Sequence, residues 1–576
     1  MKLLLSLDVF DTAIFRDVYD PKDIFTVVEN KIGNNFAEIR SRAQEVCGKK
    51  NIYYNLIDIY NRMPRKFNPK EEIIAEIENC RANPYILDIY NSGEYDCIFI
   101  SDMYLPSEVI IKMLEKCGYK NPKVFVSCEE KALKATGEIF SKVGKKLGRG
   151  IYKHIGDNYG ADIRGAKKAG IKETEYIGPP IYKKETKVPV LKDPRLRKLF
   201  IENELSNKSI ERKIGYIFGP LILSFLETVL NEASFNQTLF FNARDSFILY
   251  LIARYILKTD KRIKYCRFSR KSAHLPNIDT KVSFNHAVNT RCLGFFKTSR
   301  VRNLRELIKE YGLDENFNYN KGLEKSGITI DTRIDLLPNR AKLIEDFMIV
   351  AQKQFYEKVA SAKANFLRYI SNLGMKDNDL FIDLGHFGSM QSIIKKIAGI
   401  SLKGRYIHMY EFAGDRYGVT VEKTSFLPKG CIGTYTGVVE LIFSEPHGTS
   451  VYYDDRGVPI CDKDIKYRKD VTKELLRGVI DCVRDMKERN ISPVYSDCIK
   501  IMMNFLEYPT IEEAEFANRE IFENGSAENN ESVVWFDREW IRKGKLKECY
   551  NRSYWKPAFK ALLENDPYLS FLRKEL

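Results

Sequence analysis

Four apolar runs in the first 180 residues each end in polar residues, and this feature constrains the fold more than any other. The runs are LLLSL before Asp8, CIFI before Ser101 and Asp102, KVFVS before a loop and Lys134, and YKHI before Gly156 and Asp157. Helical patterns such as KATGEIFSKVGKKL lie between them, so the sequence predicts βαβ units and a parallel sheet. Ligands bind at the carboxyl ends of such strands, and the polar residues are therefore expected to share one site.

The residues at these predicted strand ends suit phosphoryl transfer. A phosphoryl group in transfer carries charge on its oxygens and needs cations and hydrogen-bond donors around it. A carboxylate can act as the nucleophile, and one or two carboxylates can hold Mg²⁺. The sequence offers these groups as Asp8, Ser101, Lys134, Asp157 and Asp162.

The segments SLDVFDT, FISDMYLP, KATGEIF and HIGDNYGAD resemble the four ordered motifs of the haloacid dehalogenase (HAD) superfamily, over residues 1–178. The resemblance implies that Asp8 attacks phosphorus and becomes an aspartyl-phosphate, with Ser101 and Lys134 at the phosphoryl group. It implies that Mg²⁺ is bound by Asp8, the main-chain carbonyl of Phe10, Asp157 and Asp162. The resemblance also implies that the substrate is contacted by Thr12, Asp102 and Asn158.

The sequence departs from the family pattern at Phe10. Most phosphatases of the family have there an aspartate that acts as general acid and base. Asp11 follows, but neighbouring side chains on an extended segment point to opposite faces. Asp11 is therefore the candidate acid only if the chain turns at this point. The alternatives are slow turnover, a substrate with a good leaving group, an acid from elsewhere, or a domain that only binds.

An insertion of helices is predicted between the first and second motifs, at about residues 17–93. DIFTVVENKI and FAEIRSRAQEV both place apolar residues on one helical face. The insertion resembles the helical cap of the family, which closes over the site. Arg40 and Arg42 are either contacts to a substrate anion or part of a solvated helix face.

The rest of the chain predicts a linker, a second α/β domain and a helical region. Residues 179–205, rich in proline and lysine, are interpreted as the linker. In residues 206–465, QTLFFNARDS, RIKYCRFSRKS and DLFIDLGHFGSMQ look like strands that end in polar turns, which indicates a second Rossmann-like unit. Residues 466–576 are expected to be mainly helical.

A second site is predicted in this domain, for a nucleotide or a sugar phosphate. A helix that begins near Ser389 could bind an anion through its free amides, and Arg244, Asp245, Arg270 and Lys271 at neighbouring strand ends are the other predicted site residues. We weigh this evenly against a structural role, in which Arg244 and Asp245 form an ion pair and Asp383 and Gly385 serve the turn. Glu440, Glu445 and His447 are either further site residues or ordinary loop residues.

The composition predicts a cytoplasmic protein. The 12 cysteines show no CxxC spacing, which is typical of free thiols in a reducing compartment. No stretch of the sequence is expected to span a membrane, and the first apolar run ends too early for a signal peptide. The net charge of +15 indicates either an anionic partner, such as a phosphorylated substrate, a nucleic acid or a membrane surface, or a solvated lysine-rich surface, and we favour the solvated surface. It permits peripheral membrane contact, but no nucleic-acid motif is visible.

Three functions are consistent with the sequence. The first is a Mg²⁺-dependent phosphatase or phosphotransferase of HAD type that acts on a phosphorylated sugar or related metabolite. The second is a transferase of glycan assembly whose activity lies in the C-terminal domain, with a nucleotide-sugar or glycan acceptor, and with an accessory HAD domain. The third is a binding protein. Motifs such as NARDS, FSRKS and DLGHFGSMQ make the whole chain resemble bacterial proteins of surface-polysaccharide biosynthesis. Oligomeric state and substrate identity are not predicted.

Overall fold

The computed structural model describes residues 2–178, 186–279, 303–310, 318–350, 352–462, 466–519, 521–523 and 530–576. The chain divides into two compact units. The first comprises Met1–Asn207 and Asp485–Ile501, and the second comprises Lys208–Arg484 and Met502–Leu576. The first unit thus extends beyond residue 178 and includes a helix, Pro194–Glu204, inside the stretch predicted as a linker. Asp193 caps this helix and Pro194 begins it, which are strong helix-start signals.

The first unit contains a parallel sheet of five strands with helices around it. Its elements are β1 Leu4–Leu7, β2 Ile14–Arg16, α1 Asp23–Ile32, α2 Phe36–Lys50, α3 Leu56–Tyr60, α4 Pro69–Glu78, β3 Cys80–Ala82, α5 Pro84–Ser92, β4 Asp96–Ser101, α6 Ser107–Lys116, β5 Val124–Val126, α7 Ser127–Glu130, α8 Glu138–Lys146, β6 Lys153–Gly156, α9 Gly165–Lys168, β7 Glu173–Tyr176 and α10 Pro194–Glu204. The strand order is β5-β4-β1-β6-β7. The chain moves outward from β1 to β4 and β5, and later to β6 and β7 on the other side. The point between β1 and β6 is therefore where a ligand is expected.

Helices α1–α5 form the predicted insertion, and β2 and β3 pair at its base as a short antiparallel sheet of two strands. The buried faces of α1 and α2 form one apolar cluster that includes Ile24, Phe25, Phe36 and Ala43. Helix α4 differs, because its buried face carries Glu72 and Glu76.

The second unit contains another parallel sheet of five strands, with order β12-β11-β10-β8-β9. Its elements, with those of the C-terminal segments, are α11 Ile210–Ile217, α12 Gly219–Glu232, β8 Thr238–Asn242, α13 Phe247–Leu251, β9 Arg262–Cys266, α14 Leu304–Glu310, α15 Asn320–Ser326, α16 Arg340–Val350, α17 Gln352–Leu373, β10 Leu380–His386, α18 Ser389–Ala398, β11 Lys403–Met409, β12 Glu422–Ser425, α19 Thr436–Phe443, β13 Ser450–Tyr453, β14 Pro459–Cys461, α20 Lys466–Glu488, α21 Tyr495–Glu507, α22 Ile511–Arg519, β15 Ile521–Glu523, β16 Asn530–Ser532, α23 Arg538–Arg542, α24 Leu546–Arg552 and α25 Lys556–Asn565.

The prediction of a mixed α/β fold with two Rossmann-like parallel sheets is confirmed. One expectation is corrected. The stretch Ile210–Glu232 is long and apolar enough to cross a membrane by length and composition, although none was expected, and 67% of an apolar 18-residue segment within it is buried inside the protein. Leu221, Ile222 and Phe225 of α12 are core residues, which explains the apolar composition.

Candidate functional site

A buried lysine joins two carboxylates at the carboxyl edge of the first sheet. Asp8 directly follows β1, and Lys134 lies in the turn before α8. Lys134 Nζ lies 2.5 Å from Asp8 Oδ1 and 2.5 Å from Asp162 Oδ1. All three side chains are at most 7% exposed. Ion pairs so far from water hold their geometry tightly, because breaking one leaves a buried charge without a partner.

The charges of this cluster shift one another's pKa values. Burial raises the pKa of Asp8 to about 6, although the Lys134 ammonium opposes the shift. Burial alone would lower the pKa of Lys134, but the charges of Asp8, Asp162 and Asp102 outweigh it and raise that pKa. For Asp162, burial is outweighed by Lys134 and His154, which hold its pKa low. Lys134 is therefore a fixed positive charge beside the Asp8 carboxylate.

Asp157 completes a set of three carboxylates. Asp8, Asp157 and Asp162 each offer an oxygen, and these oxygens lie within 4.8 Å of one another. Mg²⁺ binds oxygens at roughly 2.0–2.1 Å, so two ligands on opposite sides of the ion are about 4.2 Å apart. The donor chemistry fits a hard divalent cation, and oxygens within 4.8 Å of one another lie close to the largest separation that such an ion allows.

Two glycines allow the polar groups to approach so closely. A Cβ on Gly156, the last residue of β6, would lie 2.3 Å from Cγ of Asp162. A Cβ on Gly165 would lie 1.9 Å from the main-chain oxygen of Lys134. Any side chain at these positions would displace Asp162 or Lys134. The glycines are thus required by the packing of the cluster.

The loop after Asp8 turns sharply at Asp11. Asp11 has a left-handed φ of 61°, its amide donates to the carbonyl of Ile14, and the Ile14 amide donates to the carbonyl of Val9. The segment is therefore not extended, and the condition under which Asp11 is the candidate acid is met. The ring of Phe10 instead lies 3.9 Å from the guanidinium of Arg16.

The neighbouring predicted residues have mainly local partners. Asp102 accepts a hydrogen bond from the main-chain amide of Lys134 at 3.1 Å. Ser101 ends β4, the neighbour of β1, and is 2% exposed. Asn158 Oδ1 accepts from the amides of Gly160 and Ala161 and so caps the following turn. Its Oδ1 is therefore used locally, and the substrate contact predicted for Asn158 stays a prediction.

Thr12 carries a buried hydroxyl that makes no hydrogen bond within the residues that the structure describes. The residue is fully buried, and its Oγ1 has no hydrogen bond there. A buried polar group without a partner costs about 1–3 kcal/mol of stability. The hydroxyl is consequently available to a ligand that binds beside Asp8.

Replacing Thr12 by the isosteric valine should separate stability from ligand binding. Without ligand, the free energy of unfolding should stay the same or rise by up to about 1–3 kcal/mol, because an unsatisfied hydroxyl is removed. Affinity for orthovanadate should fall. Thr136→Val is the control, since the Thr136 hydroxyl donates to the carbonyl of Leu133 and its loss should destabilise. A loss of stability in Thr12→Val with unchanged vanadate affinity would contradict a ligand role.

A cavity of about 310 Å³ adjoins the cluster between the helical insertion and the sheet. Asp102 lines it, as do the cations of Arg16 and Lys22 and the rings of Tyr54 and Tyr104. Arg16 is held in place by Glu76, with Nε 2.8 Å from Oε2. The cavity can thus accept a small anionic molecule with a planar or apolar part.

Two arginines of the insertion were offered as contacts to a substrate anion, and the structure gives both other partners. Arg40 is fully buried, with Nε 2.6 Å from Oε2 of Glu72, and its guanidinium lies 4.4 Å from the ring of Phe25. Arg42 is exposed and pairs with Glu38. Arg16, which the sequence analysis did not single out, is the arginine that lines the cavity.

His154 is a further residue that the sequence analysis missed. It is fully buried in β6, with Nε2 3.3 Å from Asp162 Oδ1 and Nδ1 2.8 Å from Ser6 Oγ. It positions Asp162 from the side opposite to solvent. A histidine within a buried strand, two residues before its last residue Gly156, was the available signal.

In the second unit, the residues predicted for a second site do not all share the same neighbours. Lys271 pairs with Asp462 at 3.2 Å, and Ser389 is the first residue of α18. Arg244 and Arg270 both act electrostatically on Asp245. Glu445 is buried, where it accepts from Tyr265 and pairs with Arg267.

Comparisons with known proteins found a likeness to solved structures over 30% of the chain. No protein-family model matches the sequence, and no curated protein matches it. Among solved structures, the HAD-hydrolase YfnB of Bacillus subtilis, bound to magnesium, is 15% identical and matches 30% of this chain and 87% of its own, with a TM-score of 0.23. A haloacid dehalogenase-like protein of unknown function from Agrobacterium tumefaciens, ATU0790, is 15% identical and matches 30% of this chain and 82% of its own, with a TM-score of 0.20. Neither likeness assigns chemistry, which has to come from the side chains described above.

Proposed function

We propose that the first unit is a magnesium-dependent phosphatase or phosphotransferase of HAD type, with Asp8 as the nucleophile. The observation that carries the proposal is the contact of one buried ammonium, Lys134 Nζ, with both Asp8 and Asp162. Asp157 lies close enough to share a cation with them. A nucleophile, a fixed positive charge and a metal-binding set thus meet at one sheet edge.

Asp8 and Asp157 would hold Mg²⁺, and Asp162 would bind the ion directly or through a water molecule. The ion would supply positive charge that stabilises the phosphoryl oxygens. Lys134 binds Asp8 Oδ1, which leaves Oδ2 to attack phosphorus. The P–O bond to the leaving group breaks, and the leaving oxygen takes a proton from an acid. Water then attacks the same phosphorus and gives a proton to the acid, which lost its own proton in the first step. The bond between Asp8 and phosphorus breaks, which releases phosphate and restores the carboxylate.

The proposal is tested by hydrolysis of p-nitrophenyl phosphate. Activity should disappear in EDTA and return when MgCl₂ is added in excess. The third function, a protein that only binds, would instead show Mg²⁺ binding without turnover of any phosphoester. That outcome would remove the enzymatic proposal.

Asp11 is the proposed acid, and its replacement should affect substrates unequally. Asp11→Asn should slow the hydrolysis of an alkyl phosphate roughly 10²-fold or more, because an alkoxide leaves poorly without a proton. Hydrolysis of p-nitrophenyl phosphate should change much less. Asparagine tolerates the left-handed φ at this position, so the loop should be preserved. Asp88→Asn on the exposed surface is the matched control. Equal losses on both substrates would rule out an acid role.

The cavity suggests a phosphorylated sugar or related metabolite as the substrate. Arg16 and Lys22 offer positive charge, and the tyrosine rings offer a face for the remainder of the molecule. Assembly of surface polysaccharide is the proposed setting, on the sequence resemblance alone. A cytoplasmic location is proposed because the described cysteines are free thiols.

A further inference from the structure

The second sheet has its own position where ligands are expected. Strand β8 lies between β9 and β10. The chain passes from β8 to β9 on one side, and later to β10 and β11 on the other. Such a reversal opens a crevice at the carboxyl ends of the two central strands, here β8 and β10.

Two arginines lie near this crevice, since both act electrostatically on Asp245, which follows β8. Arg244 lies two residues after β8, and Arg270 lies four residues after β9. Helix α18 begins after β10, and its N-cap, Gly388, has no side chain to occupy the free amides of the first turn. A helix start with uncapped amides favours an anion.

An unpartnered side-chain atom lies in the same crevice. Asn242 is 4% exposed, and its Nδ2 donates to Asp383 Oδ2 at 3.1 Å. Its Oδ1 has no hydrogen bond within the residues that the structure describes. Because both atoms belong to one amide, this oxygen lies beside Asp383. Leaving it unsatisfied is costly, and a ligand hydroxyl would satisfy it.

Glu440 and His386 lie near the same space, since both act electrostatically on Asp245. His386 Nε2 lies 3.1 Å from Glu440 Oε1, and His386 Nδ1 lies 3.2 Å from Nδ1 of His408. Burial raises the pKa of Asp245 to about 6, and the charge of Glu440 adds to the effect. These acceptors suit a molecule that carries several hydroxyl groups.

A row of aromatic rings leads from His386 to the surface. The row consists of Phe387, Tyr410 and Phe412. Tyr410 lies 5.4 Å from the ring of His386 and 5.0 Å from that of Phe387. Phe412 stacks on Tyr410 at 5.2 Å and is 74% exposed. An exposed ring beside a polar crevice offers an apolar surface for the face of a sugar ring.

We propose that this crevice is a second ligand site and that it binds a phosphorylated sugar. The arginines and the start of α18 would hold the phosphate, and Asp383, Asn242 and Glu440 would accept hydrogen bonds from hydroxyls. A nucleotide with several phosphates fits less well, because three carboxylates, including Asp245, oppose two arginines. The proposal does not depend on chemistry at Asp8.

Calorimetric titration of the full chain with a panel of pentose and hexose phosphates tests this site. At least one member should bind, and Arg244→Ala with Arg270→Ala should weaken that binding roughly 10-fold to 100-fold. Arg262→Ala is the matched control, since Arg262 begins β9 at the opposite edge of the sheet. Phe412→Ala, which cannot disturb the core, should weaken the same binding several-fold.

Several outcomes would overturn the proposal. The proposal fails if no sugar phosphate of the panel binds, or if one binds equally well to the variant that carries Arg244→Ala with Arg270→Ala. It also fails if only nucleoside diphosphates bind. Binding that only Lys134→Met removes would belong to the first unit. Failure of this site leaves hydrolysis of p-nitrophenyl phosphate unaffected, so the two proposals fail separately.

Discussion

Asp8→Asn is expected to reduce hydrolysis of p-nitrophenyl phosphate roughly 10⁴-fold or more, because it removes the nucleophile while keeping the shape of the side chain. The change also removes a negative charge that Lys134 contacts at 2.5 Å. Asp162 remains as a partner for Lys134, so the first unit should stay folded. The measurement is kcat with saturating MgCl₂, together with circular dichroism.

The control for this variant is Asp88→Asn, which changes an exposed carboxylate in the same unit. It should retain the activity of the unaltered protein. If Asp8→Asn kept more than a small fraction of activity, phosphorus would be attacked by another group. Direct attack by water would then be the simplest replacement for a covalent route.

Lys134→Met is expected to abolish turnover and to destabilise the first unit by about 3–5 kcal/mol, because two buried carboxylates lose their shared cation. Lys134 is 5% exposed, so water cannot replace it without rearrangement. Urea denaturation of the purified protein measures the loss. The variant should also gain more stability from MgCl₂ than the unaltered protein, since a cation bound to the folded state alone stabilises it.

Lys31→Met is the matched control, because Lys31 pairs with Glu78 on the surface, where both side chains are about half exposed. Surface pairs of this kind contribute about 0–1 kcal/mol. Equal stability of the Lys134 and Lys31 variants would show that the buried cluster does not hold the sheet edge together.

The sheets could be predicted from the sequence because buried parallel strands are continuous apolar runs. LLLSL and CIFIS became β1 and β4, and their polar ends fell at one edge as parallel packing requires. The positions of Asp8 and Lys134 followed from the same rule. Edge strands such as β12, with sequence EKTS, carry no apolar run and were missed.

Buried charges were the main obstacle to prediction. The sequence offers Arg40 as a substrate contact or a solvated residue and gives no role to Glu72 and Glu76, since a charged side chain is rarely buried without a partner. Their partners lie on other helices or strands, so the ion pairs exist only once the insertion has folded. The sequence also did not predict that the segment Asp485–Ile501, far along the chain, belongs to the first unit, since its contacts there form only on folding. Asp497 accepts from the amides of Lys192 and Asp193, a pairing across some 300 residues.

The most direct test of the account is chemical trapping of the intermediate on Asp8. The protein would be mixed with p-nitrophenyl phosphate and MgCl₂, reduced with borohydride, digested with trypsin and sequenced by mass spectrometry. Borohydride converts an aspartyl-phosphate to homoserine. We expect homoserine at position 8 of the peptide that follows Lys2 and ends at Arg16. Homoserine at Asp11 or Asp157, or turnover with no modified aspartate, would contradict the account.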